Sequence, residues 1–354
     1  MKELSFNHGR LSFSTENFEM QPCLPDRLES RIQAFYLDAD GLMETHFVGF
    51  DELIEQRNSK SLIWLHVSGS PGDEFWDHMA KAFKLSDEET KHIRSPHLRS
   101  VADDFESGLF WSLQRPSTNF ELDALESINF FMLDKALLTR QFSHEAAFTV
   151  SAHHLMGKGA QCASYTVDVL AAQLVEDILK SYLDLLKLGG TKLETIQNKI
   201  IRKPGKAELH LINRSQQIIW IYLNAIWPIE LVLQSIIHSR SSILTKDGNA
   251  DFRARLEEAN SVLRLFETYR SMSYNLMDVY VSGLGLRTNE TTMVLTIIAT
   301  LFLPPTLIAG IYGMNFQIPE IHFSGGYYWC LASMFGVSGG LLAWLWKRGF
   351  ISFL

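Results

Sequence analysis

Charge is missing from two long stretches near the C-terminal end of the sequence. The 29 residues from Thr291 to Pro319 include no Asp, Glu, Lys or Arg. The 26 from Ile321 to Trp346 include none either, and His322 is their one weakly titratable group. Cysteine is scarce as well. Cys23, Cys162 and Cys330 are odd in number and far apart, so neither a disulfide framework nor a CxxC-type metal site is expected. A basic excess is also lacking: the 354 residues carry a formal net charge of -8, with no run of five or six basic residues to offset it. Phosphate binding needs a basic footprint, which sets nucleic acid aside as a partner. The opening stretch, Met1 to Met20, has neither a basic start nor an apolar core, so a secretory signal is not expected there. No P-loop, nucleophile elbow, Gly-rich dinucleotide turn or HExxH occurs, and an enzyme is not expected.

The charge-free stretches are themselves the strongest positive signal. Within them Thr292–Tyr312 has 21 residues and Tyr327–Trp346 has 20, each the length that crosses a bilayer. Aromatic residues mark their ends: Tyr312, Phe316, Tyr327, Tyr328 and Trp329 on one side, Trp344 and Trp346 on the other. The connection 313–326 has no Lys or Arg, whereas Arg287 precedes the first span and Lys347 and Arg348 follow the second. The positive-inside rule then puts both termini in the cytoplasm and the connection outside, in a cell (inner) membrane. Two spans cannot enclose a pore, so a conducting path would need several copies, most simply a ring. On the first span Thr292, Leu295, Ala299, Leu303, Thr306 and Gly310 share one helical face. Small and hydroxyl residues there suit either pore lining or helix packing. Leu295 and Leu303 could form rings that close a pore by excluding water.

The remaining residues read as soluble. Up to about residue 160, short β-favouring runs alternate with helical patterns: Ile32–Leu37, His46–Phe50, Leu62–Val67, Leu109–Leu113, Ile128–Leu133 and Ala136–Gln141 as strands, Gly72–Phe83 as a helix. Ser86 and Glu89 form a capping box for another short helix. This mixture predicts an α/β domain. His153 and His154 are placed on a strand or extended loop, pointing opposite ways, and with His92 and His97 they are expected to be surface residues. From 161 to 291 the texture is helical, with runs at Tyr165–Ile201, closed by Pro204-Gly205, and at Leu209–His238, where Pro228 should kink the helix. After a polar break at Ser239–Asn249 a third run starts near Asp251 and has no clear terminator before Pro304, with Gly283 and Gly285 its weakest points. Phe252, Leu256, Ala259, Leu263 and Phe266 give it a heptad seam. One helix over Asp251–Tyr312 would be roughly 90 Å long at 1.5 Å per residue, of which about 30 Å is bilayer core. The rest must be a stalk in water.

The connection then carries Tyr312-Gly313-Met314-Asn315-Phe316 and Ile318-Pro319-Glu320-Ile321. Together with Thr288-Asn289-Glu290, Phe302-Leu303-Pro304, Ala309-Gly310-Ile311, Glu267-Thr268-Tyr269-Arg270 and Trp227-Pro228, it resembles the CorA family of magnesium and cobalt transporters. The likeness is specific over Leu209–Trp346 and general in the N-terminal domain. It implies an α+β membrane protein, a funnel-shaped homopentamer with a cytoplasmic α/β domain, a stalk continuing into a pore-lining first span, and a second span facing lipid. It implies uptake of Mg²⁺, extending to Co²⁺ or Ni²⁺, driven by membrane potential. Gly313, Met314 and Asn315 would surround the outer mouth. Mg²⁺ dehydrates reluctantly, and a ring of Asn315 amides can bind its waters without stripping them. Glu320 would concentrate cations there. A turn residue or helix C-cap is the plainer role for Asn315. The sequence departs from the family in having Pro304-Pro305 where one proline is common, and Thr292 where some relatives have a large apolar gate residue. Relatives bind regulatory Mg²⁺ at acidic sites between subunits. Asp251 is the candidate here, near Glu257 and Glu258, although a solvated helix face would look the same. A zinc transporter of this architecture and a non-conducting membrane-anchored sensor are the alternatives.

Overall fold

The computed structural model describes residues 30–38, 41–46, 49–50, 62–116, 125–143, 147–159, 165–239, 241–314 and 325–349. The strands are β1 Arg31–Asp38, β2 Gly41–His46, β3 Leu62–Ser68, β4 Val101–Asp104, β5 Leu109–Pro116, β6 Leu125–Met132 and β7 Ala136–Gln141. The helices are α1 Asp73–Phe83, α2 Asp87–Arg94, α3 Thr149–Gly157, α4 Val167–Arg202, α5 Lys206–His238, α6 Lys246–Tyr312 and α7 Gly326–Lys347. By contact they divide into two compact units. The first takes residues up to Thr195 and Leu211–Tyr274, the second Ile196–His210 and Asn275–Leu354. Helices α4, α5 and α6 contribute to both.

In the first unit the strands form one sheet in the order β2-β1-β3-β7-β6-β5-β4. Every pair is antiparallel except β3 with β7, where Ile63 lies opposite Ala136. The central strands are apolar on both faces because both faces are covered, and all seven residues of β3 are buried. On one face Trp76, Met79 and Phe83 of α1 and Ile93 of α2 pack on Ile63, Leu65, Phe110, Phe131 and Leu138. Helix α2 starts with the expected capping box: Ser86 Oγ accepts from the Glu89 backbone, and Glu89 accepts from the Ser86 backbone N–H at 2.6 Å. The other face carries Trp64, Trp111 and Phe130, with Phe148 set edge-on to Trp64 and Phe252 of α6 edge-on to Trp111. Tyr182 of α4 reaches the same face and donates to the Gln114 carbonyl at 2.8 Å. Deep in it, Thr139 Oγ1 lies 2.9 Å from Trp64 Nε1 and 2.8 Å from His66 Nδ1. Burial pushes His66 down from 6.5 to about 4, so the ring is neutral at pH 7.

Helix α6 begins on a buried carboxylate. Asp168, at the start of α4, has no exposure. Its Oδ2 accepts from the Thr245 N–H at 2.6 Å and from Thr245 Oγ1 at 2.7 Å. Its Oδ1 accepts from Thr166 Oγ1 and from the Val169 N–H. Thr245 Oγ1 in turn accepts from the Gly248 N–H at 3.1 Å, the N-cap geometry. A Cβ on Gly248 would lie 1.9 Å from Asp168 Oδ2, so only glycine fits.

Five expectations change. The second strand is Gly41–His46, earlier than the expected His46–Phe50, because it pairs back on β1 directly from Gly41, whose φ of 116° is open to glycine alone. Strand β4 was not expected: two apolar residues followed by two aspartates show no alternation, and its one strand partner among the described residues is β5. His153 and His154 lie on helix α3, exposed, where adjacent residues are about 100° apart rather than opposite. The buried seam of α6 is Phe252, Ala259, Val262, Phe266, Ser273, Leu276 and Tyr280. Phe252, Ala259 and Phe266 are in it as expected, but Val262 stands in place of Leu263, and Leu256 and Leu263 are half-buried. The helix also begins at Lys246, so the polar break is shorter than expected.

In the second unit α6 runs unbroken through Gly283, Gly285, Pro304 and Pro305 as part of 67 helical residues. Gly283 is a close approach: a Cβ there would lie 3.3 Å from Pro204, at the turn between α4 and α5. Among the described residues three helices are long and apolar enough to cross a membrane. In α5 44% of the apolar window is buried within the protein, so its apolar side is core. In α6 and α7 the figure is 6%, so their apolar stretches are left bare, as spans in a bilayer require. Tyr327, Tyr328 and Trp329 at one end of α7, and Trp344 and Trp346 at the other, are all more than half exposed, as interfacial anchors must be.

Candidate functional site

The site expected from sequence is the first span and the residues that follow it. Helix α6 ends at Tyr312, as the sequence predicts. Gly313 continues the α pattern, donating to the Ala309 carbonyl at 2.9 Å, and Met314 tightens it, donating to the Ile311 carbonyl at 3.2 Å. A Cβ on Gly313 would stand 3.1 Å from the Ala309 oxygen, so glycine suits this end of the helix. Met314 is 49% exposed. Asn315 and Glu320 lie outside the described residues, as do Cys23 and Cys162.

The six residues expected to share a face do share one. At about 100° per residue, Thr292, Leu295, Ala299, Leu303, Thr306 and Gly310 fall within an arc of about 80°. All six are exposed in a single chain, Leu295 to 68% and Leu303 to 72%. The half-buried residues of the same span are Met293, Val294, Thr300, Leu301, Pro304, Pro305 and Ile308, with Ile297 buried. Their arc is centred nearly opposite the first. One bond on this second side crosses between the spans: Ser338 of α7 donates to the Leu301 carbonyl at 3.1 Å. On α7, Cys330, Met334, Ser338, Leu341 and Leu345 form the matching half-buried or buried stripe. The second span thus covers the back of the first and leaves the face from Thr292 to Gly310 free for lipid or for other copies. Ser338 was not among the expected residues, since a lone serine in an apolar span gives no signal in sequence.

Further down α6, Asp251 is half-buried beside Phe252. Glu258, close by, is engaged with Arg255, which also pairs with Glu176 of α4. Burial pushes the Glu258 carboxyl above its ordinary value, against the pull of Arg255. Among the described residues no three His, Cys, Asp or Glu side chains are grouped to hold a metal ion. The His92 and His97 rings stack 5.8 Å apart, and each has a ring nitrogen on a backbone carbonyl, of Glu88 and His92 respectively. His97 thereby ties the loop after α2 back to that helix, while the bond of His92 stays within it.

Comparison with known proteins bears on this arrangement. The family model described as CorA-like Mg²⁺ transporter protein matches residues 59–348. The chain is 24% identical over 325 residues to the cobalt/magnesium transport protein CorA of Thermotoga maritima, covering 91% of this chain and 92% of that protein. Over a shorter stretch of 119 residues it is 35% identical to the putative metal ion transporter YfjQ of Bacillus subtilis, 33% of this chain and 36% of that one. The complete structure of the CorA magnesium transporter from Methanocaldococcus jannaschii superposes with a TM-score of 0.73 at 19% identity, covering 92% of this chain and all of that one. At such identity the superposition shows a shared fold.

Proposed function

Since the chain belongs to the CorA-like Mg²⁺ transporter family, we propose that it is a divalent-cation channel whose substrate is Mg²⁺, with Co²⁺ or Ni²⁺ also admitted, entering down the membrane potential. The observation that carries this reading is the free face of the first span. Thr292, Leu295, Ala299, Leu303, Thr306 and Gly310 point away from the second span. In a ring of copies, five by the family resemblance, that face lines a central path, with the second span outside it against lipid. Both termini are then cytoplasmic, because Arg287, Lys347 and Arg348 flank the spans while no Lys or Arg lies between.

The chemistry follows from the ion. Mg²⁺ holds its waters tightly, so the outer mouth must recognise the hydrated ion. Gly313 ends the helix without a side chain, which leaves room for that ion and its shell. Asn315 offers uncharged amide oxygens that bind water-clad Mg²⁺ and release it again. Glu320 raises the local cation concentration. Leu295 and Leu303 form apolar rings that dewet when the path narrows. Asp251 serves as a regulatory contact for cytoplasmic Mg²⁺ once a neighbouring copy supplies the other ligands. The domains are 1–160 for the α/β domain, 161–291 for the stalk, 292–312 and 327–346 for the spans, 313–326 for the outer loop and 347–354 for the tail.

The test is Mg²⁺ entry into liposomes holding the purified full-length chain, read by an internal fluorescent indicator under a negative-inside potential. Wild-type flux that is lost in Asn315→Ala supports the reading. Absence of flux for any divalent cation, Zn²⁺ included, with oligomers verified in the membrane, would leave a membrane-anchored sensor instead.

A further inference from the structure

Proline has no N–H, and its ring pushes against the carbonyl four residues earlier. In α6, Pro305 therefore leaves the Leu301 carbonyl without its helical donor, as Pro304 leaves that of Thr300. At membrane depth there is no bulk water to take the missing bond, and each orphaned group must find a partner inside the protein. For Leu301 that partner is Ser338 Oγ, 37 residues away on the second span, at 3.1 Å. Other hydroxyls in the spans behave differently. Thr296 donates to the Thr292 carbonyl at 2.8 Å, Thr306 to that of Phe302 at 2.7 Å and Ser333 to that of Cys330 at 2.8 Å, each on its own helix. That backbonding is the usual habit of Ser and Thr in a helix. Ser338 departs from it at the one level where the first span lacks two successive bonds.

We infer that Ser338 is a positioning residue for cation transport: its hydroxyl replaces the hydrogen bond that Pro305 withholds from Leu301, and so fixes the first span against the second. The inference rests on the transport reading above. Leu303 and Thr306 sit on the far side of the same turn, so the angle at which they face the path is set from behind by this bond. Untied there, the segment 301–305 can rotate or bend, and the projection of Leu303 changes with it.

The experiment is a double-mutant cycle on the full-length chain in liposomes, comparing wild type, Ser338→Ala, Pro305→Ala and the pair, with Ser338→Thr as the conservative variant. Initial Mg²⁺ entry and thermal melting are both read. Ser338→Ala is expected to change the initial rate by about three- to twentyfold, the range spanned by interhelical hydrogen bonds in bilayers. Ser338→Thr keeps the hydroxyl and should restore the wild-type rate. Pro305→Ala returns an N–H to Leu301, so adding Ser338→Ala in that background should change little. Equal effects of Ser338→Ala in both backgrounds, or a threonine variant as impaired as the alanine one, overturn the inference. A wild type that passes no divalent cation refutes the transport reading, and with it this role. Non-additive melting shifts would then still establish the bond, and additive ones would dismiss it.

Discussion

Removing the Asp168 carboxylate is the most informative perturbation of the soluble unit. The group is fully buried and accepts from Thr245 N–H, Thr245 Oγ1, Thr166 Oγ1 and Val169 N–H. Hydrogen bonds to a charged acceptor contribute about 1.5–3 kcal/mol each, and a buried donor left alone loses about 1–3 kcal/mol. The four bonds share one acceptor group and do not add, and the hydroxyls of Thr166 and Thr245 can turn elsewhere. The two backbone N–H groups cannot. Asp168→Ala should therefore destabilise the unit by about 3–5 kcal/mol, at the high end for single substitutions. Asp168→Asn keeps the shape, but whichever way its amide turns, the NH₂ faces a backbone donor, so about 1–3 kcal/mol is lost. The assay is intrinsic fluorescence during heating of the full-length protein in detergent, since Trp64, Trp76 and Trp111 are buried in this unit. At about 2–4 °C per kcal/mol, the alanine variant should melt about 10 °C below wild type at a matched scan rate, with the asparagine variant between. An alanine variant within about 2 °C of wild type would falsify the idea that this carboxylate anchors the start of α6. So would an asparagine variant less stable than the alanine one.

The other predictions use the same protein. Gly248→Ala places a Cβ 1.9 Å from Asp168 Oδ2 and should melt well below wild type; a tolerated alanine would mean the N-terminus of α6 relaxes freely. His66 is held at about 4 in the fold against an ordinary 6.5, so the unfolded chain binds the extra proton and stability falls as pH drops between those values. Between pH 7 and pH 5 this term should remove about 2 kcal/mol, a loss missing from His66→Gln when the two melts are compared across pH. Ser86→Ala removes the N-cap of α2 and should lower stability by about 1 kcal/mol, which a shift below about 1 °C would contradict. Leu303→Asn puts an amide on the free face of the first span and should raise resting Mg²⁺ flux several-fold by easing wetting, whereas an unchanged rate would turn that face toward lipid.

Much of this architecture is legible in the sequence because charge is so costly in a bilayer. The absence of Asp, Glu, Lys and Arg from Thr291 to Pro319 marks the first span, and its helix ends at Tyr312 as expected. Strand β3 is equally plain, since a strand covered on both faces reads as a near-continuous apolar run. What could not be read depends on partners distant in the chain. Asp168 looks like any aspartate at a helix start, and the threonine that needs it is 77 residues on. Val101–Asp104 becomes a strand only because β5 offers it an edge. In the seam of α6, Phe252, Ala259 and Phe266 are buried as expected, but Val262 takes the place of Leu263, because a leucine at a heptad position outweighs the valine beside it in sequence while packing buries the valine. Ser338 gains its meaning from Pro305, on another helix.

The slight burial of the two spans, 6% of each apolar window, bears on how the protein is made. A copy leaving the translocon has its Thr296 and Thr306 hydroxyls already satisfied on their own helix, so it can rest in lipid without partners. Insertion and assembly become separable events, the second governed by encounter in the plane of the membrane. On the oligomeric reading, active transporter then rises more steeply than expression. A surplus of defective copies would poison rings built mostly from sound ones.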